Sequence, residues 1–389
     1  MIELKGKTVF IWSNSCTRRN THIEILKPFF FKNGWSITKN HKKADLIICG
    51  TCALNKYFEE ISIRHIIKFQ NEKKKDSNLI VGGCLPIINK NQLNKVFNGF
   101  TFGSRDTEKL DRFLSARFSI SDLPISFILP KYAFNISDLC YLLQGAFHSY
   151  IFYKTFYKNC VFIEVSTGCS EKCSYCGIKY ATGNIIKSVK EAEVLKEFKD
   201  KLKQGYKKFV LEADNLGDYG KDIDTNITNL LEKILKIDGK FYLALKSINP
   251  NFLENKKLKK LLSSDRICKI DIHLQSGSNK ILKKMRRNYT SEFFVKTIKE
   301  LKKRNPKLLI FSDVIIGFPG ESEEDFRKTV DIIDKANLDI VNISPYSDRP
   351  NTESSYMPNH IPEKVIKKRS TYLYKHIIFR RLKTLLINQ

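Results

Sequence analysis

Val165-Ser166-Thr167-Gly168-Cys169-Ser170-Glu171-Lys172-Cys173-Ser174-Tyr175-Cys176-Gly177 sets three cysteines in a Cys-x3-Cys-x2-Cys arrangement just after a predicted strand. Three thiolates on one short loop hold three irons of a [4Fe-4S] cluster and leave the fourth iron without a protein ligand. An open iron chelates the amino and carboxylate groups of S-adenosylmethionine, and one electron from the cluster then cleaves its sulfonium to a 5'-deoxyadenosyl radical. Tyr175, between the last two cysteines, offers an aromatic face for the adenine. A structural zinc site would need a fourth ligand and, as a rule, two paired cysteine or histidine arms.

Outward from this loop, strand candidates at 161–166, 208–213, 241–247, 269–275, 308–317 and 339–346 alternate with helical stretches. The pattern predicts an α/β chain with a partial (β/α)6 barrel, whose reactive groups sit on the loops after the strands. The cysteine loop follows the first strand, as that rule requires. Thr290 is placed to cap a helix with Phe294, Ile298 and Leu301 on its apolar face and Lys302, Lys303 and Arg304 at its negative end. Ser322 and Asp325 are spaced as a capping box ahead of Phe326, Val330 and Ile333.

Upstream, strands are expected at 8–12, 44–49 and 78–81, with helices at 21–33, ended by Gly34, and 54–69, where Ile61, His65 and Lys68 recur at helical spacing. Alternating strands and helices imply an N-terminal α/β domain with a parallel sheet, which binds ligands beyond the carboxyl ends of its strands. Cys16, Cys52 and Cys84 all fall there. One isolated cysteine is ordinarily a core residue, but three in this shared position can converge on a second cluster and again leave an iron open. Cys49, within its strand, reads as core.

Further stretches narrow the reading: Ile272-His273-Leu274-Gln275-Ser276-Gly277-Ser278-Asn279, Met285-Arg286-Arg287-Asn288-Tyr289-Thr290, Asp313-Val314-Ile315-Ile316-Gly317-Phe318-Pro319-Gly320-Glu321 and Asn342-Ile343-Ser344-Pro345-Tyr346-Ser347-Asp348-Arg349-Pro350-Asn351-Thr352. With the cysteine loop they resemble the radical S-adenosylmethionine (radical SAM) methylthiotransferases, in particular the archaeal and eukaryotic type acting on threonylcarbamoyladenosine in tRNA. The resemblance implies two [4Fe-4S] clusters, one on Cys169, Cys173 and Cys176 and an auxiliary one on Cys16, Cys52 and Cys84. It implies that one S-adenosylmethionine methylates sulfur at the auxiliary cluster. A second is cleaved to the radical, and a methylthio group replaces hydrogen at carbon 2 of N6-threonylcarbamoyladenosine 37. Tyr175, Gln275, Ser276 and Gly317 are then expected to bind the cofactor, and His273 reads equally well as a satisfied core histidine. The implied partners are tRNA, a reductant such as flavodoxin or ferredoxin, and a sulfur donor.

Three features depart from the family pattern. Ser15 stands where Gly is usual, and the loop has one residue more before Asn20. Glu212-Ala213-Asp214-Asn215 replaces a Gln-Asp or Gln-Asn step. The family's tRNA enzymes continue into a small β-barrel that grips tRNA, which this chain is expected to lack. The segment 361–389 reads instead as a basic helix, on which Lys367, Lys368, Arg380 and Arg381 are candidates to hold the substrate.

The expected organisation is an N-terminal domain at 1–117, an apolar linker or insertion at 118–158 and the barrel with its basic helix at 159–389. The longest uncharged run of the apolar segment, Leu139 to Tyr153, is 15 residues, short of the about 20 that a membrane span needs, and the segment reads as a lid or as a linker packed on the barrel. Lys+Arg 68 against Asp+Glu 41 gives a net charge of +27, which favours an anionic partner such as RNA. Ten cysteines spread along the chain, without a signal peptide at its start, fit a reducing cytoplasm and cofactor ligation. A peptide or ribosomal protein side chain is the alternative substrate. An iron-sulfur electron carrier or RNA-binding module would not need the motifs from His273 to Thr352.

Overall fold

The computed structural model describes residues 7–14, 23, 25–103, 106–124, 126–129 and 156–387. Cys16, with its neighbours Ser15 and Asn20, and residues 130–155 of the apolar segment lie outside the described residues. The chain divides into two compact units, one of Met1–Phe127, Cys176–Asn184 and Ser347–Ser355, the other of Ile128–Tyr175, Ile185–Tyr346 and Tyr356–Gln389.

In the first unit, β1 (Thr8–Ser13), β2 (Ser36–Ile37), β3 (Leu46–Thr51), β4 (Asn78–Gly83) and β5 (Thr101–Gly103) form a sheet in the order β2-β1-β3-β4-β5, and every pair is parallel. Side chains alternate across it, as a period of two demands. Leu46, Ile48 and Ile80 pack with Leu26, Phe29 and Phe30 of the helix Leu26–Lys32. Ile47, Cys49, Leu79 and Val81 face Ile66 and Phe69 of the helix Lys56–Glu72. That helix buries Glu59, Ser62, Ile66 and Phe69, and Ile61, His65 and Lys68, which recur at helical spacing, lie outside this buried set. His65 stacks instead on Trp12, centroids 4.0 Å apart. Cys49 is fully buried and burial pushes its thiol far up, so it is a core residue as read from sequence.

The same core takes in Ile178 and Ala181 of the helix Ile178–Thr182, directly after the cysteine loop. This short helix belongs to the first unit although it is encoded between two barrel strands.

In the second unit β6 (Ser126–Leu129) lies beside β7 (Cys160–Thr167), which also pairs antiparallel with the two-residue β8 (Lys187–Ser188). The described part of the apolar segment thus supplies an edge strand. From β7 the sheet continues parallel through β9 (Lys208–Ala213), β10 (Tyr242–Ile248), β11 (Ile267–Ile272), β12 (Leu309–Ile316) and β13 (Ile340–Pro345) in chain order. These are the six expected barrel strands. Among the described residues β7 and β13 do not pair, so the barrel is partial. Helices cover it where their caps foretold: Thr290 Oγ1 accepts from Phe293 N, and Ser322 with Asp325 makes a complete capping box.

Candidate functional site

Several residues of the cysteine loop are held by groups that follow other barrel strands in the chain. Gly168, at φ +91°, donates its N–H to Asp214 Oδ2 at 2.8 Å. Ser170 donates N–H and Oγ–H to the two oxygens of Asp218 at 2.9 and 2.7 Å, and Asp218 is fully buried. Asn251 Nδ2 donates to Glu171 at 3.1 Å. Ser174, also fully buried, donates its N–H to Met285 O and its hydroxyl to Lys284 O. Five anchors on so short a loop fix the backbone before any ligand arrives. The departure at Glu212 to Asn215 is thereby explained in part: Asp214 serves the cysteine loop, while Glu212 is buried with Lys246 Nζ 3.8 Å away.

Cys173 Sγ accepts a 3.3 Å hydrogen bond from Arg287 Nη1. Arg287 is held in turn by Asn249 Oδ1 (3.1 Å) and Tyr289 Oη (3.2 Å). Burial works against its charge, but Tyr289, Tyr175 and Cys173 outweigh burial and keep the guanidinium protonated. A fixed cation thus stands against one of the three thiols. Among the described residues no three His, Cys, Asp or Glu gather closely enough for a single metal ion. Three thiols on one anchored loop are a donor set that fits a cluster, which takes each thiolate on a different iron.

Tyr175 packs in an apolar cluster with Ile281, Met285 and Phe318, its ring edge-on to Phe318 at 6.5 Å. The structure therefore brings Tyr175 to the Gly317-Phe318-Pro319-Gly320 turn, two stretches far apart in sequence. Gly317 sits at φ +83°, and a Cβ on it would come within 2.3 Å of Ile366. Gln275 takes φ +64°, bonds through its backbone to Asp313 and Ile315, and buries an Oε1 that accepts no hydrogen bond among the described residues. An orphaned buried acceptor fits a ligand bearing hydroxyl or ammonium donors. Ser276 is fully buried, and its hydroxyl accepts from Ser278 N and faces Thr329, so it supports this turn from behind. His273 Nδ1 lies 2.8 Å from Asp313 Oδ2, and Asn342 donates to the other oxygen at 2.7 Å. Burial pushes Asp313 up, but these neighbours more than offset it and hold the carboxyl below its usual range.

In the first unit Cys52 and Cys84 follow directly on β3 and β4, adjacent strands that pair Thr51 with Gly83. Cys84 N donates to Thr51 O at 3.0 Å, which carries the ladder into the loops and sets the two cysteines side by side. Gly83 is required here: at φ +101°, a Cβ would lie 2.4 Å from Thr51 O. Cys52 N–H is directed at both Asn14 Oδ1 and Ser62 Oγ, at 3.0 and 3.1 Å. Asn14 also donates to Phe58 O at 2.8 Å, tying the end of β1 to the helix Lys56–Glu72.

The radical SAM superfamily profile matches residues 163–333, and that of the uncharacterised protein family UPF0004 matches residues 8–103. A probable threonylcarbamoyladenosine tRNA methylthiotransferase of Pyrococcus abyssi is 30% identical over 373 residues, covering 94% of this chain and 83% of that one. The chain belongs to the radical SAM methylthiotransferase family. A tRNA-2-methylthio-N(6)-dimethylallyladenosine synthase of Thermoanaerobacter sp. (strain X514) is 28% identical to this methylthiotransferase over 94% of it and 77% of the relative. In fold it is similar to the radical SAM methyltransferase TsrM of Kitasatospora setae, with TM-score 0.62, 15% identity, and 90% and 75% of the two chains covered.

The basic C-terminal helix of the methylthiotransferase, Glu363–Ile387, uses several of its cations internally. Arg380 pairs with Asp334 at 2.8 Å and donates to Ile333 O, and Arg381 donates to Leu338 O. Lys367 and Lys368 are exposed. A cavity of about 930 Å³ on the barrel has Ser170, Glu171 and Lys172, the chain between two loop cysteines, in one wall and Lys283, Arg286 and Phe293 among its other residues. Sequence reading missed Arg287, Asp214 and Asp218 as parts of the site; the adjacent Arg286 and Arg287 after an amphipathic helix were the available signal. No helix among the described residues is long and apolar enough to cross a membrane.

Proposed function

We propose that this methylthiotransferase acts on tRNA and places a methylthio group at carbon 2 of N6-threonylcarbamoyladenosine 37, using two [4Fe-4S] clusters. The observation that carries the two-cluster reading is that Cys52 and Cys84 emerge side by side from adjacent strands in the unit that also contains Cys176. Cys169, Cys173 and Cys176 would hold one cluster, and Cys52 and Cys84, with Cys16, the other. Once bound, the first supplies the electron that cleaves S-adenosylmethionine and the second carries the sulfur to be methylated and transferred. The chain's own part is to hold and to shield. Asp214, Asp218 and Ser174 fix the cysteine loop, Arg287 sets a cation on Cys173, and Gln275 offers its buried acceptor to the cofactor. Tyr175 and Phe318 supply apolar surface that keeps water from a radical.

The tRNA reading is supported by the relatives named above and by a net charge of +27. An anticodon-loop base can be splayed out of its stack to reach a buried site, while Lys172, Lys283, Arg286, Lys367 and Lys368 meet phosphates. The electron comes from an acidic reductant such as flavodoxin or ferredoxin, and the setting is the cytoplasm. The test is mass spectrometry of tRNA nucleosides from cells with and without the gene, paired with iron analysis of anaerobically reconstituted protein. Loss of the methylthio derivative of threonylcarbamoyladenosine and about eight irons per chain are expected. Loss of the dimethylallyl derivative instead would reassign the substrate, and iron that never exceeds one cluster would refute the two-cluster reading.

A further inference from the structure

Arg349 comes from the stretch after β13, yet it is 6% exposed within the first unit. Its Nη1 donates to Glu59 Oε2 at 2.7 Å and reaches Ala53 O at 3.4 Å, and its Nη2 donates to Ser347 Oγ at 3.1 Å. Ser347 belongs to the same stretch as Arg349, while Glu59 and Ala53 belong to a cysteine loop and the helix that follows it. Ala53 is the residue after Cys52, and Glu59 lies on the helix Lys56–Glu72 that leaves the same loop. The second oxygen of Glu59 accepts from Asn89 Nδ2 at 3.0 Å, and Asn89 ends the helix Leu85–Ile88 that starts directly after Cys84. On the third side stands Gly177, the residue after Cys176. A Cβ there would lie 3.1 Å from Arg349 Cβ and 3.4 Å from Ile88 Cγ2, so the backbone packs closely against the arginine stem.

We propose that Arg349 is a positioning residue that locks the loops of Cys52, Cys84 and Cys176 to one another, and thereby couples radical formation to sulfur transfer. The proposal rests on the two-cluster reading. A buried ion pair contributes little net stability compared with apolar packing, but it specifies one arrangement. The guanidinium suits that task because its planar fork addresses several acceptors in fixed directions, which a lysine ammonium does not. Glu59 is the hub, since its two oxygens serve the arms from Arg349 and from Asn89. Methylthio transfer needs the substrate carbon held in register with both the radical source and the sulfur source, and misplacement by about 1 Å can cost on the order of a hundredfold in rate.

The test uses the full chain, anaerobically reconstituted, as wild type, Arg349→Met, Arg349→Lys and Glu59→Gln. Iron per chain, the spin-spin broadening in the electron paramagnetic resonance spectrum of the reduced protein, and methylthio product per 5'-deoxyadenosine are measured. The substrate is tRNA from cells lacking the gene. Full iron with a product ratio at least tenfold lower and altered broadening is expected for Arg349→Met, and Arg349→Lys should not restore it. Full iron with the wild-type ratio and spectrum overturns the proposal while leaving two clusters standing. If Arg349→Met loses iron, Arg349→Lys and Glu59→Gln decide by the same readings. A wild type with one cluster overturns the two-cluster reading and this proposal with it.

Discussion

Replacing Glu321 by Gln should change how stability depends on pH. Glu321 is 1% exposed; its Oε2 accepts from Gly317 N and Arg369 Nη1, both at 2.9 Å, while its Oε1 accepts no hydrogen bond among the described residues. Burial pushes the carboxyl up, the Gly317 amide and the Arg369 guanidinium offset only part of that, and the net result is about 7. In the unfolded chain the group ionises near its ordinary 4.5. Between these values the native state holds a proton that the unfolded state has released, so stability falls as pH rises. The contribution is complete below pH 4.5, declines up to about pH 7 and is flat above it. At 1.36 kcal/mol per pKa unit, the loss between pH 5 and pH 8 is about 2.5 kcal/mol. Glu321→Gln removes this titration while keeping the shape of the side chain. Urea unfolding of both proteins at pH 5 and pH 8, followed by far-ultraviolet circular dichroism, isolates the group, because other titrating residues cancel in the difference. Relative to wild type the variant should gain about 2.5 kcal/mol over that range. A gap that stays within about 0.5 kcal/mol would refute the reasoning and return Glu321 to an ordinary ion pair with Arg369.

Gly177→Ala forces a Cβ against Arg349 and Ile88. Overpacking at such a site costs about 1–3 kcal/mol, readable as a lower unfolding midpoint. Arg287→Gln removes the cation at Cys173 and should lower the midpoint potential of the radical cluster in a redox titration. A residual interaction on the order of 2 kcal/mol corresponds to roughly 90 mV for one electron, and an unchanged potential would count against an electrostatic role. Lys367→Glu with Lys368→Glu should reduce the salt slope of tRNA binding, each phosphate contact contributing about 0.7 to 0.9. Arg380→Glu should destabilise the chain, because Arg380 is paired with Asp334.

The barrel was legible because its strands are largely apolar stretches that alternate with helices, two of which carry clear caps; residues 208–213 form a strand with the bounds expected. The short edge strands were not. Ser36–Ile37 is two exposed residues, and Thr101–Gly103 ends in a glycine, so neither leaves a periodic pattern. The inner face of Lys56–Glu72 was not legible because two of its buried members, Glu59 and Ser62, are polar and are satisfied by Arg349, Asn14 and Cys52. Hydrophobic periodicity cannot report a buried face built on partners distant in the chain. The same holds for Arg287, whose place beside Cys173 is a tertiary fact. The place of Cys52, Cys84 and the Cys169 loop directly after strands was readable, since spacing and position after a strand are local properties.

The first compact unit is assembled from three pieces of chain, and the last of them is Ser347–Ser355. Domains that are continuous in sequence generally fold as they leave the ribosome, N-terminal part first. Here the N-terminal sheet emerges early but waits for Arg349, and so for most of the polypeptide, before Glu59 finds its counter-ion. Until then the strands bearing Cys52 and Cys84 exist without the contact that completes their surroundings. A fragment stopping at residue 127 would therefore leave Glu59 without its counter-ion and the loops of Cys52 and Cys84 without the contact that completes them.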